Sequence, residues 1–149
     1  RSRGLGDVYK RQPDSLTFFG QSALSGTDIA FDNVDGVNYY CGWAISADDG
    51  VTDVVLQDDT VGIAEYAFAK SSVTSITFAD GLKYINNFAF WEAPLKEVTL
   101  PDSLETVGTG IFYNCAELLT VTVPFAEGEL PVGWSSTWNN KCNAVIVYS

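Results

Sequence analysis

Apolar residues recur along the middle of this chain on a long, regular period. The segment 51–72 is followed by copies at 73–94 and 95–117 and by a partial copy at 118–123, so the period is 22, 22 and 23 residues. Each copy is apolar at its first position (Val51, Val73, Leu95, Leu118), its fourth (Val54, Ile76, Val98, Val121) and its sixth (Leu56, Phe78, Leu100, Val123). An Asp follows at the eighth position (Asp58, Asp80, Asp102), an aliphatic residue at the thirteenth (Ile63, Ile85, Val107) and a Phe at the eighteenth (Phe68, Phe90, Phe112). A unit this short cannot bury its own apolar side, and stacking identical units buries a continuous core, so the pattern predicts a solenoid. The alternating Val/Ile/Thr-rich stretch around the fourth position suits a short strand. Stacking lays these strands side by side in parallel, with the first, fourth and sixth positions turned inward and the third and fifth facing solvent. The second half of each copy, such as 85–90, is too short for an independent helix and reads as one helical turn or a tight bend. Phe68, Phe90 and Phe112 should form an internal ladder. The Asp that opens each mid-repeat turn is expected to bond backbone N–H groups of its own turn.

The phrase Leu95-Lys-Glu-Val-Thr-Leu-Pro-Asp-Ser-Leu-Glu-Thr-Val-Gly-Thr-Gly-Ile-Phe-Tyr-Asn-Cys115 resembles one repeat of the BspA-like leucine-rich repeat family. Ala67-Phe68 and Ala89-Phe90 reproduce the family's Ala-Phe step, and Ile111-Phe112 keeps its shape. The closing Cys of the family pattern stands only in the third copy, where the others carry Ser71 and Ala93, and the first two copies are one residue short. The tail from Leu130 through Trp134 and Trp138 to Val147 resembles the segment that closes such arrays. The resemblance implies a leucine-rich repeat solenoid, mainly β with short helical turns. It also implies a secreted or surface-displayed bacterial protein, often adhesive, with no catalytic residues.

Four segments are expected: 1–12, 13–50, 51–123 and 124–149. Residues 1–12 hold four of the eight basic residues and no apolar period, and read as a non-native, disordered scar outside the fold. An open stack needs its ends covered. At the amino end, Gly36–Ile45 joined through Asp48-Asp49-Gly50 to Val51 onward reads as a capping hairpin, while 13–35 reads as a further strand pair or the tail of an upstream domain. At the other end Trp134, Trp138 and a final strand 144–148 have the bulk to form an aromatic cap.

Composition narrows the function. With 149 residues, 46% of them apolar, the chain can form one domain with a core. Its 19 acidic against 8 basic residues give a net charge of -11, which makes nucleic acid and anionic membrane poor partners. No apolar run is long enough to span a bilayer. The lack of His removes the commonest general base, and with no Cys-x-x-Cys pair a zinc site is not expected. Neither is a cofactor. Cys115, at an inward position, reads as a buried thiol, with a Cys115–Cys142 bridge as the alternative. Asp28, Asp32, Asn33 and Asp35 before Gly36 offer oxygen ligands that suit calcium weakly and an ordinary turn better. Asp48, Asp49, Asp53, Asp58 and Asp59 could supply a hydrolase carboxylate pair, but turn positions favour solvated charge. What remains is binding to a protein or glycan. The outward strand positions, including Asp53, Thr77 and Thr99, form a small polar strip without an aromatic anchor, whereas Tyr66, Tyr84, Trp91 and Tyr113 beside the repeat turns are the better hot-spot candidates wherever they are exposed. The expected role is a non-enzymatic adhesive module outside the cell. The alternative is a structural spacer or a piece of a longer secreted protein.

Overall fold

The computed structural model describes residues 16–20, 23, 24, 26 and 30–149, so the expected scar at 1–12 and Asp28 lie outside the described residues. The described chain is built of strands and turns: it contains no helix and winds as a β-solenoid of about five turns. An amino-terminal meander comes first, with β1 (Asp32–Val34), β2 (Val37–Tyr40) and β3 (Trp43–Ala47). The repeats then give two strands each: β4 (Asp53–Val55) and β5 (Gly62–Ile63), β6 (Ser75–Thr77) and β7 (Tyr84–Ile85), β8 (Glu97–Thr99) and β9 (Thr106–Val107). The chain closes with β10 (Thr120–Val123), β11 (Gly133–Trp134) and β12 (Val145–Tyr148).

One side of the stack follows from the L-x-x-L-x-L frame. β4 pairs with β6, and β8 with β10 and then β12, all parallel and in register, with Val54 beside Ile76 and Val98 beside Val121. The backbone bond from Lys96 N–H to Thr74 C=O, 3.3 Å, joins the two groups. The central apolar residue of each strand is buried, and its neighbours Asp53, Val55, Ser75, Thr77, Glu97 and Thr99 are exposed, as the alternation predicts. The thirteenth positions form the opposite side: Ala44, Ile63, Ile85, Val107 and Trp134 lie side by side across β3, β5, β7, β9 and β11. Between the sides the Phe ladder stacks, with ring centroids 5.5 Å apart from Phe68 to Phe90 and again from Phe90 to Phe112, every ring fully buried.

The second half of each repeat is a tight bend, not a helical turn. Tyr66 and Lys70, Phe88 and Glu92, and Gly110 and Asn114 all have positive φ between 53° and 58°, two per turn, which interrupts any right-handed helix. The backbone groups there are satisfied by the next turn of the stack instead, as in Phe68 N–H to Ala89 C=O at 2.8 Å and Phe90 N–H to Ile111 C=O at 2.9 Å. Asp58, Asp80 and Asp102 are exposed and make no side-chain bond to their own turns. The second turn is closed by the backbone bond from Leu82 N–H to Ala79 C=O, and Ser103 donates across to Leu82 C=O.

The amino-terminal cap differs from the expected hairpin. Asp35-Gly36 and Cys41-Gly42 each put two successive residues at positive φ, the geometry of tight two-residue hairpin turns, so the chain reverses twice between 32 and 47. Asp48-Asp49-Gly50 does not join the two strands of a hairpin. It carries the chain from β3 on one side of the stack to β4 on the other. β3 then continues the parallel sheet, and Trp43 lies directly over Gly62, where a Cβ would meet the indole at 2.5 Å. Residues 16–20 dock on the same end: the buried Asn86 accepts from Phe19 N–H at 2.6 Å and donates to Thr17 C=O at 3.0 Å, while Glu65 N–H bonds Phe19 C=O. At the carboxyl end Trp134 and Trp138 meet edge to face at 5.4 Å and cover the last layer.

Candidate binding site

Two columns of the stack bring aromatic side chains to one corner. The sixteenth positions carry Tyr66 and Phe88, and the nineteenth carry Trp91 and Tyr113. Because adjacent turns stack in register, Tyr66 lies on Phe88 with centroids 5.4 Å apart and meets Trp91 edge-on at 5.6 Å, while Phe88 meets Tyr113 edge-on at 5.7 Å. The four rings are each half-buried and form one continuous patch over three turns. Lys70 Nζ sits 4.8 Å from the Trp91 ring centroid, a cation–π contact worth about 0.5–1 kcal/mol at an exposed site. Left-handed backbone at bulky residues costs roughly 1–3 kcal/mol each, so Tyr66 and Phe88 store strain at this corner. The third turn carries Gly110 in the same column, and a Cβ there would meet Phe88 at 2.9 Å, so the glycine ends the stack and lets Tyr113 close on Phe88.

A groove of about 520 Å³ runs from this corner toward the docked amino-terminal segment, within the size range of small-ligand clefts. Phe31, Ile45, Asp49, Glu65, Tyr66 and Lys70 line it, so a mixed polar and apolar surface carries two carboxylates and one ammonium group. Phe31 is 42% exposed.

Three of the aromatic residues expected from the sequence, Tyr66, Trp91 and Tyr113, are therefore brought together. Tyr84 is not among them. It is buried and stacked on Trp43 at 5.6 Å with the rings nearly parallel, so it belongs to the core of the opposite side. Asp53, Thr77 and Thr99 lie on the exposed face of β4, β6 and β8, where Asp53 accepts from Ser75 Oγ at 2.6 Å and from Thr52 Oγ1 at 3.2 Å. Among the described residues no ring contact or hydrogen bond connects that face to the aromatic corner. Phe88, Lys70 and the groove were missed by sequence reasoning, although an aromatic residue at the sixteenth position of two successive copies was a readable signal for Phe88.

The acidic loops have structural work. Asn33 Nδ2 donates to Asn38 Oδ1 and Asp48 Oδ2, and Asn38 Nδ2 donates to Ser46 Oγ and Asp48 Oδ1, so Asp48 ties the three strands of the meander together. Gly36 N–H bonds Asn33 Oδ1 in the Asp35-Gly36 turn. Asp48, Asp49, Asp53, Asp58 and Asp59 are all exposed, which leaves their carboxylates in water. Burial pushes the Cys115 thiol up to about 12 and raises Cys142 above its ordinary value. Among the described residues no helix is long and apolar enough to cross a membrane.

The family model for the BspA type leucine rich repeat region (6 copies) matches residues 46–129. The chain belongs to that family, whose repeats generally serve as non-enzymatic binding scaffolds and are typical of bacterial surface proteins. No curated protein and no solved structure matches the chain significantly.

Proposed function

We propose that this chain is a non-enzymatic module of a bacterial cell-surface or secreted protein that binds a protein or glycan, and that it serves adhesion. The observation that carries this reading is the continuous patch of Tyr66, Phe88, Trp91 and Tyr113, since aromatic residues supply rigid, amphipathic contact area and dominate interface hot spots. The adjoining groove adds a concave surface of mixed polarity, with Asp49, Glu65 and Lys70 as charged handles. Asp53, Thr77 and Thr99 contribute a secondary polar strip that suits weak contact, made useful by multivalent display. The spacer reading is favoured by one observation of its own, that this strip is small and polar across β4, β6 and β8 and offers no aromatic anchor.

The test is a screen of the chain against extracellular matrix proteins and glycans, presented both as a monomer and as a multivalent array. Binding that saturates, survives moderate salt and falls by about tenfold or more in Trp91→Ala is the expected result. Silence in both formats from a folded sample leaves the spacer reading in front.

A further inference from the structure

The turn that ends each repeat is held by one recurring backbone bond. Ser71 N–H bonds Phe68 C=O, Ala93 bonds Phe90, Cys115 bonds Phe112 and Cys142 bonds Asn139, at 3.0 to 3.3 Å. The residue just before each is left-handed in every case: Lys70, Glu92, Asn114 and Lys141. Ser71, Ala93, Cys115 and Cys142 thus occupy one column of the solenoid, and the two cysteines fall on adjacent turns although the last turn is longer in sequence. Those turns are bonded directly beside the cysteines, from Asn114 N–H to Lys141 C=O at 3.1 Å. Hydrogen-bonded neighbours in a parallel stack lie about 4.7–4.9 Å apart. Disulfides accept Cα separations of about 4.4–6.8 Å, so the spacing of adjacent turns in this column falls within the range a bridge needs.

Both residues are thiols in this structure. Cys115 is buried and donates its S–H to Phe90 C=O at 2.9 Å, in the turn on its other side, while Cys142 is half-buried and reachable from solvent. Bridging would turn Cys115 away from this weak hydrogen bond to Phe90 C=O.

We propose that Cys115 and Cys142 are a cross-linking site, at which a disulfide oxidant staples the last full repeat to the carboxyl-terminal cap. Cys142, as thiolate, attacks one sulfur of a small-molecule disulfide, forming a mixed disulfide and releasing one thiolate. Cys115 then gives its proton to solvent, turns from Phe90 and attacks the Cys142 sulfur, which expels the second thiolate. Two protein thiols are oxidised to one disulfide, and one external disulfide is reduced to two thiols. Burial keeps both protein thiols protonated at neutral pH, so the exchange quickens in mild alkali. The staple joins the only two stacked turns in which this column carries sulfur on both sides; the earlier turns carry Ser71 and Ala93.

The whole chain is equilibrated with excess oxidised glutathione in mildly alkaline buffer, and its peptides are mapped by mass spectrometry without reduction. The expected product is a Cys115–Cys142 peptide pair, with a thermal midpoint roughly 10 °C above that of the reduced chain, the rise that closing a loop of this size gives a domain of this length. Cys142→Ser should show neither the pair nor the rise, and Cys41→Ser should show both. Glutathione persisting on Cys142, a bridge through Cys41, two unmodified thiols at equilibrium, or a Cys115–Cys142 bridge that lowers the midpoint would each overturn the proposal.

Discussion

Cys115 stands in a column that the other repeats fill with Ser71 and Ala93, so its sulfur is not required for the turn to form. Its thiol is held at about 12 by burial, against the ordinary value of 9.0. The unfolded chain therefore releases this proton at a lower pH than the folded chain does. The stabilisation is fully present below about pH 9 and is lost as pH rises toward 12, with a slope of about 1.4 kcal/mol per pH unit from this one group. With a reductant present, denaturant titrations between neutral and alkaline pH should show this decline in the natural chain and a shallower one in Cys115→Ala. Equal slopes would mean that the thiol is not desolvated. At this scale the sequence was informative wherever a residue type recurred. The Phe68–Phe90–Phe112 ladder and the inward fourth positions were readable from their period, because stacking forces equivalent residues into contact. Tyr84 was not, since its burial depends on Trp43, which comes from outside the repeats and fills the space above Gly62.

Among the elements, the segment 16–20 shows how a single substitution within a repeat recruits a non-repeat piece. Ala64, Asn86 and Gly108 are equivalent, and only the Asn has a side chain that can bond. Its amide holds both Phe19 N–H and Thr17 C=O, placing Phe19 against Trp43 and Tyr40 and forming one wall of the groove. Asn86→Ala should cost about 1–3 kcal/mol, since it leaves the Phe19 N–H without its partner. Hydrogen exchange would then rise at residues 16–20 while the repeat core keeps its protection; an unchanged exchange pattern would show that the apolar contacts alone hold the segment. One-off contacts of this kind leave no periodic trace. The meander was legible in principle: Asp35-Gly36 is among the strongest hairpin signals a sequence offers. The Cys41-Gly42 turn was harder to see, because Cys carries no turn signature and the flanking Tyr39, Tyr40 and Trp43 read as one continuous strand. The bends at 64–71 and 86–93 resemble helical turns by length, and only the paired left-handed residues distinguish them.

For the whole molecule, stacking performs two tasks with one geometry. It buries the apolar frame that makes the fold stable, and it sets outward residues of successive turns next to one another, so that side chains 22 or 25 residues apart in sequence become a single aromatic surface. The fold was legible because repetition announces stacking. The site was only half legible, because sequence spacing shows which residues share a column but not which way a corner faces. Trp91 allows the central claim to be examined directly: of the four tryptophans, Trp43, Trp134 and Trp138 are buried, and Trp91 alone is partly open to solvent. The decisive measurement is a fluorescence titration of the chain with the matrix protein or glycan that the multivalent screen selects, run in parallel on Trp91→Phe. Docking on the aromatic corner predicts a saturable change in emission that disappears in the variant. Saturable binding that leaves Trp91 emission unchanged, with undiminished affinity in Trp91→Ala, would place the binding surface elsewhere and contradict the account.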